Sequence, residues 1–122
     1  LILFDYFSIL EDIEMKRHLG ELELLILISL LRLGDGAYGV LIARDIEEAA
    51  GRAAALGSIY AALERMESGG LVESELGEAT AERGGKAKRY FRLTPAGEAR
   101  LRSTQRALET MWLGLPELGG VA

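Results

Sequence analysis

The chain has 122 residues, a net charge of −5 and 49% hydrophobic residues, which suits one small domain with a core and is too apolar for a disordered tail. It has no cysteine, which excludes a disulfide staple, a zinc-thiolate site and a thiol nucleophile, and agrees with a reducing compartment such as the cytoplasm. The single histidine, His18, excludes a His–His metal pair within one chain, and neither a Ser/His/Asp set nor a glycine-rich phosphate loop is visible, so no catalytic residue, metal or cofactor is expected.

Residues 1–14 differ from the rest of the chain, because Phe4, Tyr6 and Phe7 fall there and Met15-Lys16-Arg17 looks like a natural start. Two readings stand: an upstream translated extension, or an extra helix whose apolar face packs on a partner subunit. Leu1 to Leu10 lacks a basic leader and a cleavage site, so it does not read as a signal peptide. A first helix is expected from about Leu19 to the Gly34-Asp35-Gly36 loop. Its run Leu22–Leu33 is too short and too charged to span a bilayer, and reads as a helix buried on nearly all sides.

A second helix starts near Tyr38, with Val40, Leu41, Ala43, Ile46 and Ala50 at helical spacing and Gly51 as its stop. A third covers about Gly57–Ser68, with Ile59, Ala62, Leu63 and Met66 as its core stripe. That phase turns Ser58, Ala61 and Arg65 outward and leaves Tyr60 at the boundary. Leu71–Leu76 and Lys86–Leu93 alternate as two strands of a hairpin around a long loop, Gly77–Gly85. Thr94-Pro95 then opens a last helix as N-cap and first helical residue. Leu101, Thr104, Leu108, Met111 and Leu115 repeat along it at a coiled-coil-like spacing.

Three helices, a two-stranded hairpin and a trailing helix make a mainly α chain with a small β wing. This is the element order of a winged helix-turn-helix, in which the third helix enters the major groove and the hairpin touches flanking backbone. The expected division is an extension over 1–14, the winged helix-turn-helix over 15–94, a dimerisation helix over 95–116 and a tail over 117–122.

Charge supports the same reading. Arg83, Lys86, Lys88, Arg89 and Arg92 put five cations in ten positions with no acid among them, while acids crowd elsewhere. A basic ribbon suits phosphate contact; the alternative is a solvated strand neutralised by Glu73 and Glu75. Ser58 and Arg65 suit a phosphate or a base edge, although Arg65 equally suits a balance with Glu64 or Glu67. Tyr60 suits DNA contact or core packing, and Tyr38 suits a phosphate at a helix N-terminus or packing.

Three segments carry a family resemblance. They are Gly36-Ala37-Tyr38-Gly39, the run Gly57-Ser58-Ile59-Tyr60 through Leu63 and Met66-Glu67 to Val72, and Gly85 to Gly97 with its Tyr90-Phe91-Arg92-Leu93-Thr94-Pro95. Together they resemble PadR-family transcriptional regulators of the short-tailed subgroup, from about Leu19 to Leu101. Ala55-Leu56 stand where the family often has Ser-Pro, and Ala37 where a histidine is common.

The resemblance implies a repressor that binds a two-fold DNA operator as a homodimer and is released by a planar hydrophobic effector. Leu101, Leu108, Met111, Trp112 and Leu115 are the expected dimerisation residues. Tyr38, Ser58, Tyr60, Arg65, Arg83, Lys86 and Lys88 are the expected DNA-binding residues. The alternative is a winged-helix dimer that binds ligand or protein without DNA.

Overall fold

The computed structural model describes residues 19–78 and 87–116. Helix α1 spans Glu21–Leu33, and the Glu23 carboxylate accepts the Gly20 N–H at 2.9 Å, closing its first turn. Glu21 and Glu23 lie at its positive end and Arg32 at its negative end, each on the favourable side of the helix dipole. Ile26, Leu27, Ser29 and Leu30 are buried, yet Ile28 and Leu31 are exposed. The expectation of a helix covered on nearly all sides is therefore corrected. Leu22, Leu24, Leu25 and Leu33 are half-buried against the same core, and among the described residues a strip through Ile28 and Leu31 is left open.

A single 3-10 turn, Gly34–Gly36, leads to buried Ala37 and then to α2, Gly39–Ala50, which closes at Gly51 with an N–H bond to the Glu47 carbonyl at 3.0 Å. Helix α3, Leu56–Ser68, buries Ile59, Ala62, Leu63 and Met66, the stripe its spacing predicts. Its N-cap residue Ala55 makes no side-chain cap bond. Ile26, Leu27, Ile42, Ile59, Leu63 and Val72 are fully buried where the three helices meet the first strand. Side chains of this kind each stabilise the fold by roughly 1.5–3 kcal/mol.

One polar lock crosses this core. The buried Ser29 hydroxyl donates to Asp45 Oδ2 at 2.9 Å, and Arg32 binds the same carboxylate through Nε and Nη2, each at 3.1 Å. The Arg32 hydrogen bond pulls the Asp45 carboxyl below the usual carboxylate range; partial burial works against that, and the Ser29 bond adds to it. The trio pins α1 to α2 and leaves Ser29 with a partner, without which a buried hydroxyl is costly.

Strands β1, Val72–Leu76, and β2, Arg89–Leu93, pair antiparallel, with Val72 opposite Leu93, Glu73 opposite Arg92 and Glu75 opposite Tyr90. Val72 and Phe91 turn inward. β2 begins at Arg89, later than the expected Lys86. Helix α4, Pro95–Leu113, starts as the sequence predicts: Thr94 Oγ1 accepts the Gly97 N–H at 3.0 Å and donates to the Gly70 carbonyl at 2.5 Å. Gly97 is needed there because a Cβ would run into the Leu71 carbonyl, which lies against the helix.

Two expectations for α4 change. Leu101 is 7% exposed and belongs to this chain's own core, so it has little surface left for a partner. The helix ends at Leu113, and Leu115 lies beyond it, outside the helical seam. Among the described residues no helix is long and apolar enough to cross a membrane. The segments 1–14 and 117–122, with the roles expected for them, lie outside the described residues.

Candidate nucleic-acid interface

Helix α3 sits with its stripe in the core, so its opposite face is open. Ser58, Ala61 and Arg65 are exposed there, as the helical phase requires. Ser58 lies in the first turn, where backbone N–H groups have no helical acceptor and hydroxyls suit anionic oxygen. The Arg65 guanidinium stands 3.8 Å from the Glu23 carboxylate on α1, and neither Glu64 nor Glu67 holds it. Glu67 instead accepts a bond from the Ser74 hydroxyl at 2.7 Å, and Ser74 in turn accepts from Arg89 at 2.9 Å.

Tyr60 is 37% exposed. Its ring lies over Gly39, the first residue of α2, and tilts onto Phe91 of β2 with centroids 6.5 Å apart. The start of α3 is thereby brought beside the root of the wing.

At that root Tyr38 caps α2 through its backbone and meets Tyr90 edge-on, centroids 5.9 Å apart. The Lys88 ammonium lies 4.2 Å from the centre of the Tyr38 ring, within cation–π range. Phe91 donates its N–H to the Ala37 carbonyl at 2.9 Å, so the wing is also tied to the loop before α2 by backbone.

The basic ribbon divides into two kinds of cation. Arg92 is met by Glu73 directly across the hairpin at 2.6 Å and by Glu75 at 3.7 Å, and these carboxylates raise its pKa further above the ordinary arginine range. Asp35 lines the same shallow groove with Glu73, Glu75 and Arg92. For Arg92 the neutralised-strand reading describes what is there. Lys88 faces a ring instead of a carboxylate and keeps its charge available to an anion. Arg83 and Lys86, the other wing residues expected at DNA, lie outside the described residues.

The structure thus brings Tyr38, Ser58, Tyr60 and Lys88 to one end of the molecule, with Arg65 further along α3. Sequence reasoning places Gly39 in the family segment Gly36-Ala37-Tyr38-Gly39 but gives it no role; its missing side chain makes room for Tyr60. Among the described residues no cluster of three histidines, cysteines or acids is placed to hold a metal.

The distal part of α4 presents a different surface. Leu108, Met111 and Trp112 are exposed, with Met111 at 73% and Trp112 at 65%, and Leu113, not among the expected residues, is more exposed still. Leu115 is exposed beyond the helix end.

A family model described as the transcriptional regulator PadR-like family matches residues 27–103. Among solved structures, a PadR family transcription regulator from hypervirulent Clostridium difficile R20291 is 30% identical. The match covers 75% of this chain and 91% of that one, with a TM-score of 0.60. A transcriptional regulator from Clostridium thermocellum is 26% identical over 74% of this chain and 82% of its own, with a TM-score of 0.63. No curated protein matches the sequence.

Proposed function

This chain belongs to the PadR-like family of transcriptional regulators, and we propose that it is a cytoplasmic, sequence-specific repressor that grips double-stranded DNA as a homodimer. In this reading the first turn of α3 enters the major groove and the wing root rests on flanking phosphates. Ser58 and Arg65 face the groove, while Tyr38 and Lys88 meet the backbone, with Arg83 and Lys86 further out on the wing. The observation that carries the reading is the convergence of the exposed start of α3 with the Lys88 ammonium at one end of the molecule, held together through Tyr60, Gly39 and Tyr38. The total charge of −5 does not oppose it, because charge is segregated, with five cations and no acid within residues 83–92.

Dimerisation falls to Leu108, Met111 and Trp112 of α4, with Leu115 just beyond. A two-fold dimer reads two half-sites about one helical turn apart. Release by a planar hydrophobic effector would act by changing the spacing of the two α3 helices, with Trp112 a candidate wall of its pocket. The opposed reading, a dimer that takes ligand or protein without DNA, draws its support from Glu73 and Glu75 on the wing and Asp35 in the turn before α2, which line one groove.

A salt series separates the two. Duplex DNA from the region upstream of the protein's own gene is titrated at several salt concentrations. DNA binding predicts a steep fall of log affinity with log salt, and Lys88→Ala or Lys86→Ala shallows the slope by about one. A flat dependence, or variants indistinguishable from the parent, favours the DNA-free reading.

A further inference from the structure

We propose that Tyr60 is a positioning residue: its ring, seated on the bare backbone of Gly39 and against Phe91, holds α3 and the wing as one rigid reading surface. The consequence for DNA rests on the reading above, whereas the positioning itself does not.

The seat is defined by what glycine leaves out. A Cβ built on Gly39 would stand 2.9 Å from Tyr60 Cε2 and closer still to Cζ and the hydroxyl oxygen. Carbon atoms settle at about 3.5–4.0 Å, so any side chain at 39 displaces the Tyr60 ring from its seat on the first turn of α2. The hydroxyl lies against Gly39 as well, turned toward the chain's own backbone, which assigns Tyr60 a role other than the DNA contact the sequence suggests.

The ring's other neighbour closes a circuit. Phe91 is almost completely buried and is bonded through its N–H to Ala37, two residues before Gly39. α2 and β2 are therefore already joined by backbone, and Tyr60 adds α3 to the pair. The adjacent residue on the strand, Tyr90, points to the opposite face and meets Tyr38, which in turn carries the Lys88 ammonium. Ser58, two residues before Tyr60, and Lys88, three before Phe91, are thus linked through a series of ring contacts. A helix contact and a wing contact held in one geometry reinforce each other on a duplex, since neither has to be ordered anew.

Two readouts test this on the full chain, one of them without DNA. The first is hydrogen exchange at the Phe91 amide, compared among the parent, Tyr60→Phe, Tyr60→Leu, Gly39→Ala and the double variant Gly39→Ala with Tyr60→Leu. The second is affinity and salt slope on the upstream duplex.

Tyr60→Phe keeps the ring and is expected within about twofold of the parent in both. Tyr60→Leu is expected to speed Phe91 exchange and to weaken DNA binding by about tenfold each, with an unchanged salt slope, because no phosphate contact is removed. Gly39→Ala should resemble Tyr60→Leu, and the double variant should be no worse than Tyr60→Leu alone, as two residues sharing one contact are non-additive. Thermal melts check folding; a Gly39→Ala chain that does not fold but is restored by Tyr60→Leu is the same result in stronger form.

Tyr60→Phe as weak on DNA as Tyr60→Leu would make the hydroxyl a reader and overturn the proposal. So would additive losses in the double variant, or unchanged Phe91 exchange in Tyr60→Leu. A parent that binds no DNA would overturn the functional reading while leaving the exchange result to decide Tyr60.

Discussion

The wing root and the distal half of α4 are both rich in large apolar side chains, and they treat them in opposite ways. At the root, Tyr38, Tyr60, Tyr90 and Phe91 find one another within the same chain. Along the end of α4, Leu108, Met111, Trp112 and Leu113 face outward, and on α1 Ile28 and Leu31 do the same. A chain of this length has enough interior to complete one such cluster. The ring cluster at the wing root is completed within a single protomer, and the exposed α4 surface is of the kind that marks an interaction site. Under the proposed function, this difference leaves self-sufficient packing to the reader and association to the trailing helix.

The largest expected effect on assembly comes from placing charge on the unsatisfied side. Leu108→Glu and Trp112→Glu should raise the dimer dissociation constant by about thirtyfold or more, the scale of losing an interface anchor. Sedimentation at micromolar concentration checks this: the parent sediments as a dimer and the variants as monomers. Identical sedimentation would break the comparison.

The largest effect on folding comes from the satisfied side. Phe91→Ala removes a buried ring and should destabilise the fold by about 3–5 kcal/mol in urea denaturation. Leu113→Ala, at a far more exposed position, should stay within about 0.5 kcal/mol.

A smaller effect tests the frame beneath both regions. Asp45 has a lowered folded-state pKa, so its contribution is fully present above the ordinary carboxylate range and is lost as pH falls through the lowered folded value. In denaturation followed against pH, Asp45→Asn should be the less stable protein at neutral pH and should approach the parent on the acid side. A constant gap between the two at every pH would contradict the lock. The smallest effect sharpens the division within the ribbon. Arg92→Ala should leave the salt slope of DNA binding unchanged, because Glu73 and Glu75 already meet that charge. Lys88→Ala should lower it by about one.

Legibility in the sequence tracks the range of the interaction. The α3 stripe and the Thr94-Pro95 cap are local, set by helical spacing and by bonds across three residues, and both stand as expected. Neutralisation of the strand by Glu73 and Glu75 is one of two readings of the sequence, and for Arg92 only the cross-strand register decides for it. Leu101 and Leu108 share one seam in the sequence; only the placement of α4 on the core decides that the first is buried and the second is not. The apolar run of α1 reads the same whether a strip is left open or all faces are covered. Of the candidate site, the members were legible as residue types, and the role of Gly39 was not, because a glycine's use lies in the neighbour it admits.

The most direct test of the account is the composition of the DNA complex. A fluorescently labelled duplex from the upstream region is sedimented with the protein at moderate salt, beside a scrambled duplex of equal length. The account predicts two chains per upstream duplex, tighter binding than to the scrambled DNA, and loss of the complex with Leu108→Glu. One chain per duplex, or equal binding to both sequences, would contradict a two-fold, sequence-reading regulator.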